Sequence, residues 1–388
     1  MAEIDTPEKR LNPFSIYNHL RQTTPIRYDA SRDCWDVFGY EDVHRILKDP
    51  GAFSSIRGVV EKSTETILTM DPPRHTQMRA LVNKAFTPRV IADLAPHIES
   101  ITNELMDSLI DRNKMDVVHD LAVPLPIIVI AELLGVPSED RKLFKVWSDT
   151  LVKGTDVNTE EALKQISTEK AQALQELTSY FKEIVGLRRT DPKEDLISLL
   201  LSADIEGEKL SLQEIIGFAI LLLAAGNETT TNLITNAVRV LTEQTSIQQQ
   251  LLENSEWIPG FIEEVLRFYP PIQAIGRVAA SDIEIGDTHI KKGDQVVSWV
   301  ASANRDETKF SNPDVFVADR RPNAHLSFGF GIHFCLGAPL ARLEAQIAIR
   351  AIVNRLTDIR FATGSKLAYI QSTFVFGVKQ FPIVFDRK

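Results

Sequence analysis

Along most of the chain, apolar positions recur every three or four residues with charged positions between them, which is the spacing of amphipathic helices. The pattern predicts helices over residues 14–23, 40–49, 88–111, 139–151, 160–188 and 194–203, with Asp191-Pro192 as the break before the last. The longest apolar helix starts at Ser211, where Glu214 three residues on completes a capping box, and it runs to about Gln244. Two-residue alternation is confined to short stretches: 35–39, the pair 283–285 and 289–290 around Gly286-Asp287, then 295–300, and finally 367–385. Small sheets are therefore expected near the N-terminus, over 276–300 and over 366–388. No internal repeat and no βαβ alternation appears. The fold class is mainly α with small β-sheets (α+β).

Length alone, 388 residues, suggests two or three domains. No Pro/Gly/Ser-rich linker and no composition shift divides the chain, so a single domain over 1–388 is expected. With 44% hydrophobic residues, the core is large enough to enclose a cofactor. A formal net charge of −10, with both signs interspersed, argues against nucleic acid as a main partner and for a cytoplasmic protein. The first ten residues carry no apolar core for a leader or membrane anchor. The two most apolar runs, 121–134, broken by Pro124 and Pro126, and 215–226, fall short of the roughly 20 residues a bilayer needs. Nothing resembling a sustained heptad points to an oligomer, so a monomer is expected. Only Cys34 and Cys335 are present, which excludes a disulfide framework; Cys34, beside Trp35, reads as packing.

Chemistry concentrates at Cys335. It lies in Phe328-Gly329-Phe330-Gly331-Ile332-His333-Phe334-Cys335-Leu336-Gly337, a glycine-punctuated loop leading into a helical segment with Pro339 in its first turn. Free N–H groups at such a helix start favour a thiolate, a good single ligand for a metal or cofactor. A second constellation interrupts the long apolar helix: Ala224-Ala225-Gly226-Asn227-Glu228-Thr229-Thr230. Gly226 costs about 1 kcal/mol against Ala in mid-helix and offers close approach to the backbone. Thr229 is placed to bond back to the Ala225 carbonyl, opening the helix for water, and Glu228 puts a carboxylate beside it. Third, Glu264 and Arg267 sit three apart on one helix face.

Phe-x-x-Gly-x-His-x-Cys-x-Gly resembles the haem-binding loop of the cytochrome P450 family. The segment around Glu228-Thr229 resembles that family's oxygen-activation motif, with Glu where many members have Asp, and Glu264-x-x-Arg267 resembles its Glu-x-x-Arg motif. The likeness runs from about Pro13 to Phe385. It implies a cytochrome P450 fold in which haem b lies between the long helix and the cysteine loop, with Cys335 as axial ligand of the iron. Propionate partners would be His75, Arg79, Arg277 and His333, with Phe328 and Gly329 packing on the ligand side. Arg320 would join the Glu264–Arg267 pair in a structural role. Gly226, Glu228 and Thr229 would serve O2 activation and proton delivery. A pocket lined by Phe218, Leu222, Ala225, Ile275, Phe374 and parts of 56–70 implies a lipophilic small-molecule substrate such as a fatty acid, terpenoid, steroid or macrolide-like compound.

No flavin or ferredoxin segment lies in the 388 residues. Electrons are expected from a ferredoxin or flavodoxin plus reductase, docking on a patch of Arg74, Lys84, Arg89 and Arg342. Two other readings share the cysteine loop. A peroxygenase driven by hydrogen peroxide usually lacks the acid–threonine pair, and a haem-thiolate sensor without turnover would give that pair no purpose.

Overall fold

The computed structural model describes residues 1–57, 66–84, 86–152, 160–205, 207–370 and 372–388. The helices that position the site are α1 (Arg74–Asn83), α2 (Pro124–Leu133), α3 (Arg141–Val152), α4 (Glu160–Thr190), α5 (Leu212–Glu243), α6 (Ile258–Phe268) and α7 (Ala338–Arg355). Helix α5 is the axle, packed against α2, α3, α4, α6 and α7. Its start is fixed as the sequence predicts: Glu214 N donates to Ser211 Oγ (3.3 Å) and Ser211 N to Glu214 Oε2 (2.8 Å). From Thr230 to Leu241 every side chain of α5 is buried, six of them polar or charged. Buried polar groups need partners inside the protein. Asn227 donates to Ser148 on α3 (2.8 Å), Thr231 to the Ala122 carbonyl (2.8 Å), and Asn236 to the Tyr269 carbonyl (3.0 Å).

Besides the short pair Asp204–Ile205 and Glu208–Lys209, the described strands are β1 (Ile26–Asp29), β2 (Cys34–Val37), β3 (Phe53–Ser54), β4 (Lys114–Asp116), β5 (Ile275–Ala279), β6 (Ile283–Ile285), β7 (Thr288–Ile290), β8 (Gln295–Ser298), β9 (Leu356–Phe361), β10 (Ala368–Tyr369), β11 (Val378–Gln380) and β12 (Pro382–Arg387). A five-stranded sheet runs β1-β2-β8-β5-β3, with β2 and β8 parallel. It carries its own apolar cluster, including Val37, Phe53, Val296 and Leu326, beside the larger helical core.

Several expectations shift. The segment 88–111 is not one helix: it divides into Pro88–Asp93, Ala95–Asp107 and a 3₁₀ turn. Strand β8 does not extend the β6–β7 hairpin but joins the five-stranded sheet, and 367–385 divides between the β10–β11 pair and the β9-β12-β4 sheet. Pro124 and Pro126 do not break their apolar run. Both sit in the first turn of α2, where missing N–H groups cost nothing. No helix among the described residues is long and apolar enough to cross a membrane.

Candidate active site

Gly337 caps α7 and Pro339 stands in its first turn, so Cys335 precedes the helix by two residues. The loop that carries it turns on two glycines in the left-handed region, Gly329 (φ +71°) and Gly331 (φ +70°). At Gly331 a Cβ would come within 2.9 Å of the Leu47 carbonyl, so the loop lies directly on the backbone of Tyr40–Lys48. Cys335 N donates to the Phe328 carbonyl (2.9 Å), closing the loop on itself. The thiol is accessible, whereas Cys34 is buried in the core. The helix start stabilises the thiolate only in part. Desolvation pushes the Cys335 thiol up, although the Gly337 and Ala338 N–H groups and the cations of Arg79 and Arg342 pull it down. A metal cation held at Cys335 would supply the missing charge.

The basic residues gather as the resemblance implies. His75, on α1, is 1% exposed, and neither ring nitrogen has a hydrogen-bond partner. Its ring centroid lies 4.2 Å from that of His333, whose Nε2 meets Ser55 Oγ at 2.9 Å. Arg277, on β5, is buried and donates only to the Gly276 carbonyl among the described contacts (2.9 Å). Burial first, then Arg57, bring Arg277 down to about 10. His333 is brought down to about 4 by burial, then by His75, Arg277 and Arg79, with Asp71 opposing. His75 is lowered in the same way, by burial and by Arg79 and Arg277. Asp71, the one carboxylate that counters this cluster, is itself engaged by Ser54 Oγ and the Ser55 N–H. Arg79 departs somewhat from its expected use, since its Nη2 donates to the Phe334 carbonyl (2.8 Å) and its Nε to Asn83 (3.1 Å).

Mutually repelling cations and an unpartnered buried histidine form a receptor for a dianion, which fits the two propionates of a haem. The donor set agrees. Among the described residues no group of three His, Cys, Asp or Glu could hold a bare metal ion. A single thiol suits an iron whose other positions a macrocycle fills.

On α5, Thr229 Oγ1 donates to the Ala225 carbonyl (2.7 Å), yet the helix stays continuous and does not open there. One intrahelical bond is shared and not broken, because Oγ1 takes a lone pair the backbone leaves free. Ala225 is exposed in mid-helix, and with Thr229 and Leu222 forms an accessible face of small and apolar groups. Gly226 is not on that face. A Cβ there would meet Ile130 of α2 at 3.4 Å, an ordinary contact, so the position faces α2 and not the accessible side. Glu228 is half-buried; desolvation raises its carboxyl, and Lys170 on α4 pulls it back. Consecutive helical residues point about 100° apart, so Glu228 faces α4 while Thr229 faces the accessible side.

The Glu264 cluster is complete. Arg267 donates through Nε (2.8 Å) and Nη2 (2.7 Å), Arg320 through Nε (3.0 Å), Asn323 through Nδ2 (3.1 Å) and Val317 through its N–H (3.0 Å). Of the pocket residues, Phe218 is spent in the core, edge-on to Phe86. Ile275 packs near Gly329, and Phe374 stacks on Trp299 while staying 43% exposed. Most of 56–70 lies outside the described residues. Three cations of the expected docking patch have partners within the chain. Arg74 pairs with Glu214, Lys84 donates to the Asp204 carbonyl (2.7 Å) and Arg342 is bidentate on Glu263 (2.7 and 2.8 Å); Arg89 alone of the four stands exposed without such a tie. That Glu263–Arg342 pair, 79 residues apart, leaves no signal in the sequence.

The cytochrome P450 family model matches residues 7–376. Cytochrome P450 109 of Bacillus spizizenii is 52% identical over 99% of this chain and 94% of that one. Substrate-free CYP109E1 of Bacillus megaterium superposes with a TM-score of 0.95 at 44% identity, covering 98% of this chain and all of the other. The same enzyme in complex with testosterone gives 0.90 at 44% identity, covering 96% and 99%. With that fold, a thiol-bearing loop and a cationic receptor beside it, the chain belongs to the cytochrome P450 family of haem-containing monooxygenases.

Proposed function

We propose that this protein hydroxylates a steroid-sized lipophilic small molecule with O2, using haem b bound by Cys335 and electrons from a ferredoxin or flavodoxin with its reductase. The haem, when bound, activates dioxygen. The observation that carries the reading is the cluster of His75, Arg79, Arg277 and His333 with an unpartnered buried ring beside the cysteine loop. Those four residues would receive the propionates. Phe328, bonded through its carbonyl to the Cys335 N–H, would keep water from the sulfur. On the opposite side Ala225 and Leu222 would exclude water from the substrate, and Thr229 would hold a hydroxyl ready to pass a proton. Glu228, with its carboxyl raised by burial, would supply that proton, through water because its side chain faces α4. The steroid bound by CYP109E1, and the apolar side chains of Ile275 and Phe374 here, support the substrate class. A monomer acting in the cytoplasm completes the reading.

The test is the visible spectrum of the reduced protein under carbon monoxide, beside Cys335→Ala, followed by steroid titration. A thiolate-type Soret band lost in the variant, and a spin-state shift with testosterone, are expected. A band indifferent to the mutation would sink the ligand assignment. Turnover with hydrogen peroxide matching that with reductase would sink the partner assignment.

A further inference from the structure

Behind the cysteine loop, three segments distant in sequence are tied by one carboxylate. Glu263 on α6 takes both Nε and Nη2 of Arg342 on α7, at 2.7 and 2.8 Å, and its Oε2 also meets His325 Nε2 at 3.1 Å. His325 Nδ1 accepts the Ser327 N–H (3.3 Å), which leaves the ring proton on Nε2, aimed at Glu263. Burial opposes ionisation of Glu263, but hydrogen bonds from Arg342 and His325 hold it down at about 2, so the carboxylate is an anion throughout the working range. The guanidinium so fixed lies over the Phe328 ring, 4.5 Å from its centroid, with the His325 and Phe334 rings each at 6.2 Å. Phe328 is the residue whose carbonyl holds the Cys335 N–H.

We propose that Arg342, locked by Glu263 and His325, is a positioning residue that stacks on Phe328 and thereby fixes the shield over the Cys335 sulfur. The proposal rests on Cys335 being the iron ligand. A planar, doubly bonded guanidinium suits the task for a physical reason. It can satisfy a carboxylate in its plane and present its face to a ring at the same time, which an ammonium cannot. Charge is therefore not the discriminating property; the fork is. Arg342 is thus an internal clamp, and the proximal surface loses a cation that a redox partner would otherwise meet.

The experiment uses the full-length haem-loaded protein, its Cys335→Ala form, Arg342→Lys and Glu263→Gln. Three quantities are read: the midpoint potential of the haem iron, the rate at which the thiolate-type carbon monoxide band decays, and the melting temperature. Arg342→Lys keeps the charge and removes the fork, and Glu263→Gln keeps the guanidinium and removes its lock. Both are expected to shift the potential in the same direction and to speed decay of the band about tenfold, the factor carried by one charge-assisted hydrogen bond. A purely structural pair would lower the melting temperature and leave potential and band alone, and that result would overturn the proposal. So would parent-like values in Arg342→Lys, which would make charge the operative property. A parent protein without the thiolate band would instead overturn the ligand assignment, and the clamp with it.

Discussion

Glu264→Gln isolates what the buried charge at the centre of the haem-side core is worth. Glu264 and Arg267 are both 0% exposed, and the Arg320 side chain is 8% exposed. The glutamine keeps the shape and one acceptor oxygen, but two guanidiniums are left sharing no anion. Removing one partner of a buried pair costs about 3–5 kcal/mol, because the remaining charge keeps its desolvation penalty and loses its compensation. The carbonyls of Asn304, Pro313 and Val315 on Arg267, and of Ser311, Asn312 and Val315 on Arg320, hold the arginines in place, so they cannot swing out to water. For 388 residues the unfolding entropy near the midpoint is about 0.8 kcal/mol per kelvin, so the loss corresponds to a fall of about 4–6 °C. Far-UV circular dichroism during heating reads it, and urea midpoints give a second measure. Asp111→Asn serves as control, since its pair with Arg387 has side chains 82% and 60% exposed and should leave the midpoint where it was. A Glu264→Gln protein melting within 1 °C of the parent, roughly 0.8 kcal/mol, would refute the reasoning.

Other outcomes follow from the same structure. Gly331→Ala must place a Cβ 2.9 Å from the Leu47 carbonyl at a φ of +70°; about 1–3 kcal/mol of strain and poor haem retention are expected, checked by melting and by haem stoichiometry. Glu344 is buried with Oε1 unpartnered, and burial lifts its carboxyl to about 8 against an ordinary value of 4.5. Between those values the native state holds a proton that the unfolded chain has released, so stability falls as pH rises; Glu344→Gln should flatten the slope of urea midpoints from about pH 5 to 8, and an unchanged slope would contradict it. Arg277→Gln removes a buried cation from the propionate receptor and should speed haem loss to a scavenging apoprotein about tenfold, whereas a parent-like rate would remove Arg277 from that role.

Much of the fold and the centre of the site were legible because their signals are local. The capping box at Ser211 needs four residues, and the cysteine loop needs ten, so each is read where it stands. The strand order was not legible. Strand β8 pairs with β2, some 260 residues away, and nothing in its alternation distinguishes that partner from the adjacent hairpin. Gly226 shows the same limit on a smaller scale. A glycine in a helix offers room for a neighbour, but which neighbour it faces, here Ile130 of another helix, is set by the packing.

Charge was the least legible property, for a related reason. Arg74, Lys84 and Arg342 look alike in sequence as cations, and each acquires a different internal partner on folding. The same folding leaves both ring nitrogens of His75 without a partner and gives Arg277 only the Gly276 carbonyl. Cations are satisfied pairwise wherever the chain brings a carboxylate or carbonyl to them, and a group still unpaired at nine-tenths burial marks a place where the chain alone does not complete its own electrostatics. One such group, His75 on α1, lies against His333 in the loop that carries the accessible Cys335 thiol, with ring centroids 4.2 Å apart. Pairing thus sorts the basic residues into those that build the scaffold and those that face a ligand, a distinction that net charge and sequence proximity do not make.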